Sequence, residues 1–421
     1  MTPIDRRGLL AGGGGLALLL GGTPPAPAAT PVADPTGALN AHDFGAVGDG
    51  VQDDSEAIEK AFKAALAGAD ARFVLLPAGR YRVTRPIRVV TQERPAGNLT
   101  RRAGILARGA QIISAITDGS PVIEIDCRAT VRFFQIDGLE IKGSGRDGHG
   151  LFIRCEKRGT YFYNFCLRDM VIEGCGGDGC RMIGNVFEGQ VFNAYFRDNR
   201  RDGATFGHGP ENTVFSAVHL FGCVFGGNGR NGVSLIDGAT DVSFHGCYFL
   251  LNQKFGLSAD TGVTLLSHCG FENNHMAAPK FDAGDAGLRL KVGGTLVGCT
   301  AYSIYQQTHL VRAYVTNSLT LIGCSGMGGA RAKDAGLAML KGQRGCDINL
   351  IGCTGGIDRG RRLDVTTIGR GAQFGGRWNS QNLAWLGDYC LWVDDQGRLR
   401  IKRGRPKRDN DGKVIPVEDG D

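Results

Sequence analysis

One short string recurs along the middle of this chain and restricts the folds open to it. A cysteine, in most copies preceded by glycine, stands at Cys223, Cys247, Cys269, Cys299, Cys324 and Cys353, at intervals of 22 to 30 residues. Asparagine follows five residues later at Asn228, Asn252 and Asn274, and glycine four further on at Gly232 and Gly256. Earlier units keep the frame with Ala194, Asn199 and Gly203, and with Met170, Cys175 and Gly179. Periods of this size mark solenoids or propellers.

Within a unit, apolar residues alternate over three or four positions before a Gly or Asn breaks the run, three times per unit. Alternation is a strand signal and excludes helical repeats. Three short strands per turn predict an all-β fold, a right-handed single-stranded parallel β-helix with coils about 4.8 Å apart. Val242, Phe244, Cys247, Phe249, Leu257 and Ala259 are expected to face inward, and Ser243, His245, Tyr248 and Ser258 outward. Equivalent residues then stack in columns. Cysteine suits a crowded inner corner as a small hydrophobe, so a ladder of free thiols is expected in preference to disulfides. The asparagines are expected to form a turn ladder. The 67 glycines agree with many tight turns, and 42% hydrophobic with 21% charged residues excludes a disordered chain. A net charge of +6 fits an acidic polymer as partner without pointing to nucleic acid.

Residues 1–29 pair Arg6-Arg7 with a glycine-diluted apolar run and end Ala26-Pro27-Ala28-Ala29. They resemble a twin-arginine export signal, followed by a linker over 30–39. The run is too short and glycine-rich to span a bilayer well. The mature protein is expected to be periplasmic or secreted, free of the membrane once the signal is removed.

The stretch Asn40-Ala41-His42-Asp43-Phe44-Gly45-Ala46-Val47-Gly48-Asp49-Gly50 continues through Asp53-Asp54-Ser55-Glu56 to Leu75-Leu76-Pro77-Ala78-Gly79-Arg80-Tyr81. It resembles the opening of the pectate-lyase superfamily, in particular its rhamnogalacturonase/epimerase-like branch, related to the polygalacturonases. The resemblance implies a β-helix acting on polysaccharide. Physical reading agrees: Asp53 with Glu56 suggests a capping box for a helix from about Ser55 to Leu66, whose Ile58, Ala61, Phe62 and Ala65 would lid the apolar end of the solenoid. The β-helix domain is placed at 40–376. A C-terminal hairpin or cap is placed at 377–403, around Asp395-Gln396-Gly397, and a charged tail at 404–421.

Chemistry on such a fold needs outward residues on successive coils. The residue before each third-strand glycine gives His149, Asp178, Asp202 and Asn231, expected in one vertical file. Stacked carboxylates can split into an acid and a base, the pair that glycoside hydrolysis requires. Asp178-Gly179, Asp202-Gly203 and Gly148-His149-Gly150 resemble the catalytic stretches of polygalacturonase-type hydrolases, which implies Asp178 and Asp202 as catalytic with His149 assisting. The order differs, with His149 first, and the family's Asn-x-Asp and paired Asp signatures are absent. Gly287-Leu288-Arg289-Leu290-Lys291 resembles that family's substrate-binding strand but lies several coils from Asp202. Asp-Gly and His-Gly are also ordinary turn dipeptides. A lyase would instead use cations near this face, for which Arg181, Arg201, His208, Arg230 and Lys254 are candidates beside Asn231. No metal-ligand spacing is present and no cofactor is expected. Asp282 and Asp285 in the excursion Glu272–Ala286 suggest calcium, but nothing fixes it. The leading expectation is an exported enzyme cleaving an acidic, uronate-containing polysaccharide by hydrolysis or β-elimination. The alternative is a non-catalytic surface or glycan-binding β-helix, with Tyr161, Tyr163, Tyr195, Tyr248 and Tyr302 outward.

Overall fold

The computed structural model describes residues 37–67, 72–91, 99–210, 213–260, 264–274, 286–303, 309–315, 318–328, 336–342, 347–359, 365–368, 372–374, 384–386, 389–393, 396, 398–404 and 410–415. The export signal, most of the linker, the excursion bearing His275, Asp282 and Asp285, and Trp378 lie outside the described residues. The chain winds as a parallel β-helix. One coil shows the plan: Thr240–His245 belongs to sheet A, Tyr248–Leu250 to sheet B and Leu257–Ala259 to sheet C. Each strand pairs in parallel with its equivalents one coil below and above.

Registry carries the repeat of the sequence into columns. Val218, Val242 and Thr264 stack in sheet A, Phe225, Phe249 and Phe271 in sheet B, and Val233, Leu257 and Leu288 in sheet C. All nine are buried. Phe196, Phe225, Phe249 and Phe271 form a ring pile with centroids 5.3, 5.2 and 4.7 Å apart and planes within 13°. Each buried phenyl contributes roughly 1.5–3 kcal/mol.

The corners explain the small residues. Between sheets A and B the chain turns through a left-handed residue in coil after coil: Asp169, Asn193, Gly222, Gly246, His268, Gly298, Gly323 and Gly352, with φ between 47° and 60°. Glycine holds most of these places because a Cβ is strained there. The next residue drops into the core, which is where Cys223, Cys247, Cys269, Cys299, Cys324 and Cys353 sit, free and buried. Cys127, Cys155, Cys175 and Cys180 are free and buried elsewhere in the coils. The corner thiols reach backbone carbonyls, as Cys247 does to Leu220 at 3.5 Å and Cys353 to Leu321 at 3.3 Å.

The corner between sheets B and C is closed by asparagine. The Asn199 side chain donates to Asn228 Oδ1 at 3.1 Å, Asn228 to Asn252 at 2.9 Å and Asn252 to Asn274 at 2.8 Å. Each Oδ1 also accepts the backbone N–H one coil below, as Asn252 does from Asn228 at 3.2 Å. Every polar atom of this buried file is thereby matched.

The helix Ser55–Ala67 caps the first coils with Ile58, Ala61, Phe62 and Ala65 buried. Its expected capping box is replaced. Glu56 pairs with Lys60 at 2.6 Å, Asp53 accepts from the Ser55 N–H, and Asp54 turns back to the N–H groups of Val47 and Gly48. Asp54 is thus spent on stitching the entry loop. At the other end Ala384–Leu386, Tyr389–Val393, Leu399–Arg403 and Lys413–Val414 form an antiparallel sheet. The buried Arg400 donates to the carbonyl of Asn410 at 2.8 Å, so part of the segment expected as a solvated tail is folded.

Replacing Asn252 by Ala leaves buried donors on Asn228 unmatched and is expected to cost about 2–4 kcal/mol in denaturant unfolding. Asn349→Ala, outside the ladder, is expected to stay within about 0.5 kcal/mol.

Candidate functional site

The predicted file is real as geometry. Gly150 N–H bonds to the Asp178 carbonyl, Gly179 to Asp202, Gly203 to Asn231 and Gly232 to Phe255, at 2.9–3.0 Å. His149, Asp178, Asp202, Asn231 and Phe255 therefore climb five coils as neighbours. The glycines that follow have their own cause. A Cβ at Gly179 would lie 2.7 Å from Asn199 Nδ2, and one at Gly203 2.8 Å from Asn228 Nδ2. They are glycine because the asparagine ladder leaves no room, and not because the chain turns left-handed there.

Side chains of the file also bond upward. The Asp178 N–H donates to His149 Nδ1 at 3.0 Å, the Asp202 N–H to Asp178 Oδ1 at 3.2 Å, the Asn231 N–H to Asp202 Oδ1 at 2.8 Å and the Phe255 N–H to Asn231 Oδ1 at 3.1 Å. Asp202 Oδ2 accepts further bonds from Thr205 and Ser234, at 3.3 and 3.0 Å, partners that the sequence pattern did not bring forward. Asp178 exposes no surface and Asp202 almost none. Both carboxylates are engaged by backbone and side-chain donors, so neither stands where it hands a proton to a bound sugar.

What the file presents to solvent is cationic. A parallel file runs through Gly177, Arg201, Arg230 and Lys254, joined by backbone bonds of 3.1, 3.0 and 2.8 Å. Arg201 reaches down to Asp178 Oδ1 at 3.5 Å, and Arg230 to Asp202 Oδ1 at 3.8 Å, with 47% and 43% of their side chains exposed. Arg181 holds Asp178 Oδ2 at 3.2 Å and is 24% exposed. Buried acids thus orient half-exposed guanidiniums. Arg181 and Arg201 are brought together with His149, while Asn231, Arg230 and Lys254 follow on the coils above along the same face. His208 is not among them: it lies past the far end of strand Ala204–Gly207, against Gly238, with Nε2 buried and unmatched.

Burial pulls His149 below the ordinary imidazole value; Asp178 opposes this, and Arg181 and Arg201 add to it. With Nδ1 accepting the Asp178 N–H, the neutral ring carries its proton on Nε2. Asp178 Oδ2 stands 3.4 Å from the same Nδ1.

A second polar cluster escaped the sequence reading. On the outer side of sheet A, Ser243 Oγ lies 2.6 Å from His219 Nδ1 and 2.9 Å from His245 Nε2. Burial, then His219, lowers the pKa of His245. The ring of His245 continues a stack with Phe221 and Phe192 at 4.9 Å spacings. These rings cover one another's faces, which makes the stack structural. The 24-residue offset from His219 to Ser243 was its only trace in the sequence.

Comparison with known proteins places this architecture. Residues 38–135 match the family profile described as rhamnogalacturonase A/epimerase, pectate lyase-like, and residues 122–324 match the right handed beta helix region. The opening of the chain is thus similar to the pectate lyase-like family, and its middle to right-handed β-helices. Residues 309–417 also match the capsule depolymerase profile. Mannuronan C5-epimerase AlgE4 of Azotobacter vinelandii is 32% identical over 152 residues, which is 36% of this chain and 22% of the epimerase. The chain thus spans less than a quarter of that relative's length. ORF18 of Geobacillus virus E2 is similar in structure with a TM-score of 0.59, at 18% identity over 90% of this chain and 76% of its own. The surface protein and adhesin PfbA of Streptococcus pneumoniae gives 0.52, at 14% identity over 80% and 97%. At such identities the likeness is one of fold.

Because burial depresses His149 and His245, the unfolded chain binds protons more readily than the folded one just below the ordinary imidazole pKa. Their contribution to stability is complete above that pKa and is lost as pH falls towards the folded values. Denaturant midpoints are expected to drop between about pH 7 and 5, and His149→Gln to remove part of that drop.

Proposed function

We propose that the protein is exported and acts outside the cytoplasm on an acidic, uronate-containing polysaccharide, which it cleaves by β-elimination. The observation that carries this reading is the pair Arg201 and Arg230, half-exposed one above the other on successive coils and each reaching a buried aspartate, with the more buried Arg181 beside them on Asp178. A guanidinium held in advance pairs with a carboxylate in a planar, two-point fashion at little entropic cost. Coils about 4.8 Å apart set such cations at a spacing comparable to one sugar unit of a chain lying along the solenoid axis. The profile matches to capsule depolymerase and rhamnogalacturonase A/epimerase support a polysaccharide as substrate.

Elimination suits the site better than hydrolysis. Neutralising a uronate carboxylate stabilises the negative charge that develops when the adjacent proton leaves. Hydrolysis needs a carboxyl in contact with the glycosidic oxygen, and Asp178 is enclosed. In this mechanism Asp178 and Asp202 are positioning residues. His149 acts as base after a tautomer shift through water: Nε2 gives its proton to solvent, Nδ1 takes one from solvent and donates it to Asp178 Oδ2, the neighbour at 3.4 Å, and the freed Nε2 lone pair then accepts the substrate proton. A second reading, glycan binding without cleavage, draws on the resting state, in which Arg181, Arg201, Arg230 and the protonated His149 Nε2 are all donors.

Incubation of the full chain with uronate polymers is expected to give ultraviolet-absorbing unsaturated products. The rate is expected to rise with pH through a value below that of ordinary imidazole, because His149 must be neutral. New reducing ends without that absorbance would restore hydrolysis, and binding without any product would favour the second reading. Arg201→Ala with Arg230→Ala is expected to weaken polymer binding about tenfold, equivalent to about 1.4 kcal/mol, and to flatten its salt dependence.

A further inference from the structure

Sheet A carries a hollow that neither the cation file nor the His219–Ser243–His245 cluster touches. In the first coils its outward column runs Phe73, Gly104, Gln135. The middle place is blank, since a Cβ on Gly104 would come within 1.9 Å of the Gln135 carbonyl oxygen. The space left over it is a cavity of about 370 Å³ lined by Phe73, Arg102, Phe133 and Gln135.

Two of these residues hold unusual backbone. Arg102 and Phe133 begin a file of left-handed residues at the entry to sheet A, with φ of 53° and 60°, that continues through Asn164, Glu188, Ala217 and Asp241. An aromatic residue in this conformation is strained, and the strain is retained only where the surroundings overdetermine it. Here the Arg132 guanidinium lies 4.6 Å from the centre of the Phe133 ring and itself bonds to Asn164 Oδ1 at 3.0 Å. The ring is 36% exposed despite this clamp. A large apolar side chain has been fixed open to solvent at the lip of a hollow.

We infer that this cavity is a binding site for a single acidic sugar unit of the uronate type, separate from the cation file on sheet C. Two phenyl rings offer apolar surface to the C–H face of a pyranose, the Gln135 amide suits its hydroxyls, and Arg102 suits its carboxylate. Among the described residues no carboxylate lines it. The volume lies at the lower end of the roughly 300–1,000 Å³ range of ligand pockets, on the order of one or two sugar rings. The inference shares a ligand class with the proposed function but no residue.

The full chain is titrated with D-galacturonate and, in parallel, neutral D-galactose, observed by ligand-detected NMR. Wild type is expected to prefer the uronate. Arg102→Gln is expected to cut uronate binding fivefold or more and leave galactose unchanged. Phe133→Gly is expected to weaken both sugars while keeping or raising the melting temperature, because glycine relieves the φ of 60°. Uronate binding unchanged in both variants, or none in wild type at tens of millimolar, overturns the inference. Arg201→Ala with Arg230→Ala serves as the separate control: loss of polymer binding there with monosaccharide binding intact keeps the two sites distinct. Monosaccharide binding lost with that pair and retained in Arg102→Gln overturns the pocket and leaves the cation file standing.

Discussion

Each coil of this molecule lies directly on its own earlier copy, and a residue must therefore tolerate its equivalents about 4.8 Å above and below. Phenyl rings do so by piling face to face, at 4.7–5.3 Å in the Phe196 to Phe271 column. Thiols do so because they are small and apolar, and their weak donors find backbone carbonyls. Asparagine does so because it carries donor and acceptor together, so that a column of identical amides matches itself. Charges cannot be stacked in this way. Asp178 and Asp202 are adjacent in one file and Arg201 and Arg230 in the next, and each arginine reaches the acid one coil below. This diagonal pairing lets like charges neighbour one another without repulsion dominating.

The same requirement sets the boundary between structure and surface. The asparagine file occupies its corner so fully that the following residues must be glycine, and the residue before each glycine is held where its side chain meets the next coil's N–H. A position that looks functional from outside is thus already bound into the framework. The aspartates gain a different importance from this, since a buried carboxylate that orients two guanidiniums gives the exterior a fixed pattern of charge.

How much of this was legible in the chain itself follows from the range of the interactions involved. The 22- to 30-residue period, the inward set from Val242 to Ala259 and the stacking of His149, Asp178, Asp202 and Asn231 depend on alternation and repeat length, both written locally. Exposure is not. Ser243 and Ser258 were expected outward; they stand in outward columns and yet are buried, at 4% and 5%, because imidazole rings cover the one and an arginine from the next coil bonds to the other. Asp178 was read as an acid available to a substrate because nothing near it in sequence announces Arg201, 23 residues on, or the N–H groups that fill its valence. The capping box failed for a similar reason: Asp54 is drawn to Val47 and Gly48 by the tertiary path of the entry loop.

A perfect solenoid would have uniform faces and no place for a ligand to stop. Recognition on such a fold depends on departures from the column rule, and the departures here are few. His149 starts a file whose next members are acids, so an imidazole meets a carboxylate where other coils place like on like. Gly104 omits a side chain between Phe73 and Gln135, and Phe133 puts a phenyl ring in a file otherwise held by polar or small residues. All three lie in the coils before residue 180, where the cysteine and asparagine repeat has not yet become regular. The regular coils provide rigidity, and the irregular ones at the N-terminal end hold the side chains that break the column rule.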